Sequence, residues 1–516
     1  MDAIETLRQD VLHGRIGAEW LLDFVGTLQR QLQAALQQLQ ATQAQLQAAQ
    51  QRIEELEKKC GGPPTAKIDE PFSMRAEEKR QAARGKKSGQ RKKKGRRGRL
   101  TSQEKIARAE RTEPVYPEGV APEACQLSHV RPVWRLENNR AVLIAYAIYR
   151  GPNNRYGKIP GVLDRGEFGV EIVTEIAYLV YIVGLSFDKV CQLLQFFQDF
   201  PLRKSQVDAL LYRLSRHWER QFEVLCTLLA NSLVVHADET SWSLNSVWAF
   251  LSEKARVLLF GIHKDADTLE KILDPLTFAG IVISDDAAVY ANFNAAQKCW
   301  AHLLRKAIKL TLQDRENADY RTFTDGLLVI YRAACRIQRD RRLGDAGREK
   351  KVKALENQLF ELCVPMWSMD LPPLEGIAND YRLLVNEVMK LAIDQQLFTF
   401  VTAKPVQQVN GASKPVDGTN NEAERTLRGP AQARDTGRTS KTMKGARRQS
   451  ILTSVLESLR VYLKTFTLAS VIDEMHRWWA EGRSCFEKAL EKFKLALPEK
   501  SKINQLFPSP LPNPSG

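Results

Sequence analysis

Between residues 25 and 56 apolar side chains recur at heptad spacing. Val25, Leu32, Leu39, Leu46 and Ile53 fall on one seam, and Leu28, Ala35, Thr42, Ala49 and Leu56 on the other. Gln and Ala fill the remaining positions, so helix propensity is high throughout. Sustained heptads predict a coiled coil that joins copies of the chain, with a lone helix packing back on its own chain as the alternative. The small residues of the second seam leave the oligomer number open. Cys60-Gly-Gly-Pro-Pro ends this helix, because glycine and proline together cannot continue it.

The pattern then changes several times. Residues 61–100 are nearly devoid of apolar positions and are expected to be disordered in isolation. Within 101–165, Arg135–Tyr149 reads as strand, turn at Asn138-Asn139, and strand. Residues 166–230 read as helices over Val170–Gly184, Ser186–Phe197 and Ser205–His217, with Ser186 and Ser205 as N-caps and Pro201 separating the last two. That pair resembles a helix-turn-helix whose second helix, with Lys204, Ser205, Gln206 and Arg213, would enter a DNA groove. A corner of a helical bundle fits the same pattern.

From Leu233 short β-branched runs appear: Leu233–Ala237, Ser246–Leu251 and Val257–Ile262, a helix around Thr268–Leu273, then Gly280–Ser284. This β-β-β-α-β order describes the front half of an RNase H-like fold. Residues 301–400 lose the strand pattern and read as long helices, including Arg341–Leu362 and Asp380–Ile393. Helices resume after Asn420, through Ile451–Leu463 and Leu468–Ala480, and the Pro- and Ser-rich tail from Phe507 is expected to be disordered. The expected class is α+β and multidomain. Its divisions are a coiled coil (1–60), a basic arm (61–100), a small β-containing module (101–165) and a helix-turn-helix-like region (166–230). The first part of an α/β core (231–305), a helical insertion (306–410), the remainder of the core with C-terminal helices (411–485) and a tail (486–516) follow.

Charge sharpens this picture. The 516 residues carry a net +15, which points to a polyanionic partner. Nearly all of that excess lies between Lys79 and Arg99, a stretch with no acid. Lys86, Lys87, Arg91, Lys92, Lys93, Lys94, Arg96 and Arg97 are therefore expected to neutralise DNA phosphates without reading sequence, a solvated linker being the alternative. The eight cysteines show no framework spacing and no signal peptide precedes them, so reduced thiols in the cytoplasm are expected. No apolar stretch approaches the roughly 18 residues that span a membrane.

Three acidic signatures carry the candidate chemistry: Val-Val-His-Ala-Asp238-Glu, Val-Ile-Ser-Asp285-Asp, and Asn-Asn-Glu-Ala-Glu424-Arg. The first two place a carboxylate where a buried strand is expected to stop, and the third on the early turns of a helix. Such a set can hold a pair of divalent ions, which in-line attack on a phosphodiester needs. Alternation along a strand lets only one of Asp238 and Glu239 face that site; Asp286 remains the rival of Asp285. Thr419 and Glu422 have capping-box spacing, fixing the helix start. Arg428 lies at i+4 from Glu424, which also fits a surface ion pair. Cys299-Trp-Ala-His302 lacks two of the ligands a zinc site requires, so zinc is not expected. His302, Arg305 and Lys306 either face substrate phosphate or close a strand-to-helix junction.

Taken in order and separation, these blocks resemble the insertion-sequence-66 type DDE transposases of bacteria. The run Arg438-Thr-Ser-Lys-Thr-Met-Lys-Gly445-Ala-Arg-Arg-Gln-Ser450 is similar to that family's stretch after the glutamate, and the likeness covers about residues 170–480. The resemblance implies an RNase H-like core with Asp238, Asp285 and Glu424 as the metal-binding triad and two Mg²⁺ ions, Mn²⁺ being able to substitute. It implies strand cleavage at element ends and transfer of the 3′-hydroxyl into target DNA. The implied partners are terminal inverted repeats and target DNA, further copies of the chain, and accessory proteins of the element, in a nucleoid-associated cytoplasmic setting. Arg425 and Arg428 join the expected DNA contacts. Two departures stand out. Only Cys125 remains where the family often carries a cysteine-rich module, and Thr419 occupies a position usually acidic, with Asp417 two residues earlier. A DNA-binding regulator without catalysis and a nuclease that cuts without joining are the rival functions.

Overall fold

The computed structural model describes residues 100–516 apart from 165, 368–374, 497–504 and 508–516, with a few single positions between Gly26 and Gln47. Those single positions are helical. The heptad seams and the basic arm, including Lys86, Lys87, Arg91, Lys92, Lys93, Lys94, Arg96 and Arg97, lie outside the described residues. The chain divides into two compact units, 1–71 and 72–516, and the helices and strands with described bounds all belong to the second.

Helix α1 (Ser102–Ala107) starts at a capping box between Thr101 and Glu104. A three-stranded sheet comes next, with β1 (Arg111–Val115), β2 (Gln126–Glu137) and β3 (Arg140–Arg150) in the order β1-β3-β2. Asn138 and Asn139 turn β2 into β3 with φ of 49° and 62°, the left-handed pair that a two-residue hairpin demands and asparagine tolerates. Next come α2 (Val170–Tyr181), α3 (Phe187–Gln198), α4 (Lys204–His217) and α5 (Glu219–Ala230). Ser186 caps α3 by accepting from the Lys189 amide at 3.3 Å. Ser205 does not cap α4. Arg203 takes that position, its amide donating to the Gln206 side chain at 3.0 Å, and the helix begins one residue earlier than expected. The apolar faces of α3 and α4 (Val190, Leu194, Val207, Leu211, Leu214) belong to the same buried cluster as the central sheet.

That sheet comprises β4 (Val234–Ser241), β5 (Ser246–Ser252) and β6 (Arg256–Ile262), then α6 (Ala266–Ile272), β7 (Ile281–Ser284) and β8 (Ala296–Lys298). Its order is β6-β5-β4-β7-β8, the first three strands antiparallel and the last two parallel to β4. One expectation needs correcting: β4 does not stop at Ala237. It runs on to Ser241, paired with Ser246 of β5, so Asp238 lies inside the strand. What stops there is the apolar run and the pairing with β7, which ends at His236↔Ile283.

The helices α7 (Trp300–Gln313), α8 (Ala318–Arg339), α9 (Asp345–Cys363), α10 (Gly376–Ile393) and α11 (Thr399–Thr402) come after β8 and bury a second core around Trp300, Leu327, Leu359, Val385 and Phe400. The chain returns through β9 (Val406–Gln407) and β10 (Ser413–Lys414) to α12 (Asn421–Asp435), α13 (Met443–Tyr462), α14 (Leu468–Glu481) and α15 (Cys485–Lys492). The expected tail is partly core. Phe486 and Leu490, four apart on α15, pack into the main cluster, and so do Leu506 and Phe507.

Strand β6 is a sheet edge, with backbone groups that must find partners. Three serines of α13 supply them. Ser450, Ser454 and Ser458, all fully buried, accept from the amides of Phe260 at 2.9 Å, Leu258 at 2.9 Å and Arg256 at 3.0 Å. Ser454 and Ser458 also donate back to the carbonyls of Leu258 and Arg256. The match is geometric: four helical residues advance about 6 Å and two strand residues about 6.7 Å. Gly261 permits the close approach, with φ of +77° and room for no Cβ, which would sit 2.9 Å from that of Ala446.

Candidate active site

The site lies where β4 outruns β7. His236 is level with Ile283 in the parallel register, so two residues on, Asp238 is level with Asp285, and both fall on one face. Along β4 that face is read by the α12 region. His236 approaches Asp417 at 3.6 Å, and Thr240 accepts from Arg434 at 3.2 Å. Asp238 lies between them and feels the charge of Glu424.

Glu239 points the other way. It is 2% exposed at its side chain, ion-paired with Lys264 at 2.5 Å, and accepts a hydrogen bond from the Tyr290 hydroxyl. Asp285 and Asp286 differ in the groups that they act on. Asp285 acts electrostatically on Asp238, Lys264, Tyr290, His302 and Lys298, and Asp286 acts on Lys298. Asp285 is held by the Ala287 amide, which donates to its carboxylate at 3.1 Å. Lys298 donates to the Asp285 carbonyl at 2.9 Å and to Ser284 Oγ at 3.2 Å, fixing the turn from beneath.

Glu424 reaches the site from α12, whose start is fixed by Asn420. The Asn420 side chain donates to the Ala237 carbonyl at 2.8 Å, and its amide donates to Cys299 Sγ at 3.1 Å. The expected capping box is not formed. Asn420 is the N-cap, and Glu422 turns instead to Arg256 at 2.5 Å and Lys414 at 2.8 Å. Burial alone would raise the Glu422 carboxyl, but these cations override it and hold it near 2. Arg305 ion-pairs with Glu424 at 2.5 Å, and His302 Nδ1 lies 3.5 Å from the same oxygen. Burial, with Arg305 next to it, keeps His302 below its ordinary value.

The electrostatics test whether these residues suit a cation. Burial, then Glu239 and Asp285, push the Asp238 carboxyl up to about 7. A divalent ion would offset both the burial and the like-charge repulsion at Asp238. The three carboxylates do not close as a set to within 4.8 Å of one another, whereas Cys299, His302 and Glu424 do, as do His236, Asp417 and Glu422. In the second of these groups the Lys414 ammonium, 2.8 Å from both carboxylates, already supplies the positive charge.

The remaining expected contacts are dispersed. Arg425 and Arg428 are exposed on α12 and make no ion pair among the described residues. Lys204 pairs with Asp188 at 2.9 Å and Arg213 packs over Gly166, so neither contacts the acidic set. Lys298 beneath the Asp285 turn, Arg434 at Thr240 and Lys264, which pairs with Glu239 on the opposite face, come in without any sequence signal. Each is a solitary cation brought in by pairing across the sheet or from α12.

Residues 165–448 match the family described as Transposase IS66 family. A comparison with curated proteins finds no match.

Proposed function

The chain belongs to the IS66 family of transposases, and from that premise we propose that it cuts DNA at the ends of a mobile element and joins the freed 3′-hydroxyl to target DNA. The observation that supports this reading is that Asp238 and Asp285 lie level on adjacent parallel strands, with Asn420 bonding the start of the Glu424 helix to the Asp238 strand. The mixed sheet supports an RNase H-like core.

Asp238, Asp285 and Glu424 would hold two Mg²⁺ ions, with Mn²⁺ able to substitute. Bound there, divalent ions supply Lewis-acid stabilisation of charge on the attacking and leaving oxygens. The protein's own groups set the stage. Asn420 fixes the Glu424 helix to the Asp238 strand, Lys298 holds the Asp285 turn, and Arg305 orients the Glu424 carboxylate. Arg305, Arg425 and Arg428 provide cations for the phosphates flanking the scissile bond. The basic arm adds contacts that do not depend on sequence. Lys204 and Arg213 on α4 are assigned to DNA on the helix-turn-helix reading, and the heptad region to self-association.

Incubating the protein with Mg²⁺, a pre-cut element end bearing a free 3′-hydroxyl, and plasmid target tests the proposal. Joined product is the expected result. Cleavage without joining would select a nuclease, and retention of DNA without either would select a regulator.

A further inference from the structure

Two helix starts meet beside the acidic set and bring a thiol, an imidazole and a carboxylate together. Cys299 is the N-cap of α7 and His302 lies in its first turn, with the His302 amide donating to the Cys299 carbonyl at 3.1 Å. That spacing puts both side chains on one side of the turn. Glu424 arrives from the first turns of α12, and ligand atoms of the three residues all lie within 4.8 Å of one another. Sequence offers only the Cys-x-x-His pair; folding supplies a third donor from beyond the helical insertion.

Two observations point to an ion among them. His302 Nδ1 is buried, has no hydrogen-bond partner, and lies 3.5 Å from a Glu424 oxygen. A stranded ring nitrogen is costly, and a cation that takes its lone pair removes that cost. Cys299 is 2% exposed, and its Sγ accepts from the Asn420 amide at 3.1 Å, the kind of outer contact that orients a metal-bound thiolate. The donor set is soft. Mg²⁺ takes oxygen ligands in an octahedral array, so sulfur selects against it. Zinc accepts these three donors and keeps a fourth, open position for water. Arg305 pairs with Glu424 at 2.5 Å, but it touches one donor of the three and its side chain is 56% exposed. An ion can turn such a partner out to solvent at small cost. In the His236, Asp417 and Glu422 group, by contrast, Lys414 bridges both carboxylates.

We propose that Cys299, His302 and Glu424 form a site for a divalent ion of the zinc class, and that its occupation withdraws Glu424 from Asp238 and Asp285 and stops strand joining. The site stands on its own geometry; its effect on joining rests on the transposase reading. Burial pushes the Cys299 thiol up, so the incoming ion displaces the thiol proton to water as the metal–sulfur bond forms.

Titrating the full chain with Co²⁺, a coloured stand-in for Zn²⁺, reads the site without turnover. The expected result is a tetrahedral cobalt spectrum with a thiolate-to-cobalt charge-transfer band, both abolished by added Zn²⁺. Cys299→Ser keeps an acceptor for the Asn420 amide and should lose the charge-transfer band. His302→Gln should weaken Co²⁺ binding at least about tenfold, since even an outer partner of a ligand counts for that much. Should Cys299→Ser fail to fold, His302→Gln, at a part-exposed position, still decides. In Mg²⁺-driven joining, Zn²⁺ equimolar with protein should slow wild type at least about tenfold, and a chelator that prefers zinc should reverse it. A cobalt spectrum without sulfur in the wild type, or a charge-transfer band that persists in Cys299→Ser, overturns the site and leaves the transposase reading standing. Equal zinc inhibition of wild type and Cys299→Ser, each against its own zinc-free rate, overturns the withdrawal of Glu424. A cobalt–thiolate band in a chain that never joins DNA upholds the site and overturns the transposase reading.

Discussion

The Asn420 side chain donates to the Ala237 carbonyl at 2.8 Å, bonding the helix that carries Glu424 to the strand one residue before Asp238. Asn420 is fully buried, and its backbone amide is also bonded to Cys299 at the head of the helix bearing His302 and Arg305. One asparagine thus joins three elements of the site. Asn420→Ala strands the Ala237 carbonyl in the interior, a cost of about 1–3 kcal/mol. Denaturant unfolding should show that loss, and strand joining should fall further than DNA affinity does.

The serine ladder on α13 makes a purely structural prediction. Ser454 satisfies both backbone groups of Leu258, at 2.9 Å and 3.2 Å. Ser454→Ala should cost about 2 kcal/mol by leaving an edge-strand amide and carbonyl unpaired. Ser205→Ala, at an exposed position, should stay within about 0.5 kcal/mol of wild type in the same unfolding experiment.

Crowding at Asp238 predicts a response to metal that does not require turnover. Its carboxyl is pushed to about 7, so above pH 7 it is ionised against its neighbours. Asp238→Asn removes the cost of burying a charge, the larger cause, together with the repulsion from Glu239 and Asp285. Without divalent ions at pH 8, the variant should be more stable than wild type by roughly 2 kcal/mol, allowing for partial solvent screening. Added Mg²⁺ should raise the melting temperature of wild type and leave that of the variant nearly unchanged. A larger Mg²⁺ gain in the variant would contradict the assignment.

Glu487 governs a pH dependence far from the site. Burial would raise its carboxyl, but the Ser484 amide at 2.8 Å and Arg220 at 2.6 Å outweigh burial and lower it. A depressed carboxyl contributes stability above its unfolded value of about 4.3, and that contribution fades as pH falls through the folded value. Glu487→Gln should therefore be less stable than wild type at pH 7, with the gap closing in acid. A constant gap in melting temperature from pH 7 down to 3 would contradict this.

Parts of this architecture are legible in the chain because they are local. Asn138-Asn139 announces its turn through the two residues' tolerance of positive φ. The β-branched runs before Asp238 and Asp285 announce buried strands because both faces are covered. Other parts depend on distant partners. Strand β8, Ala-Gln-Lys, has no alternation to read and exists through pairing with β7. The true end of β4 is hidden because its last residues are polar where they face the site. The spacing of Thr419 and Glu422 suggests a cap, but Arg256, far away in sequence, claims the glutamate. Ser450, Ser454 and Ser458 look like an ordinary polar stripe until the sheet edge they cover is known.

The most direct test of the central claim is strand joining by Glu424→Gln and Asp285→Asn beside Asp286→Asn, on a pre-cut element end with Mg²⁺ and plasmid target. Geometry predicts that the first two lose at least about a hundredfold in joining while still binding DNA, the scale on which removing a transition-state contact acts. Asp286→Asn, one residue beyond the position level with Asp238, should stay within about threefold of wild type. Joining at the wild-type rate by Glu424→Gln or Asp285→Asn would contradict the account.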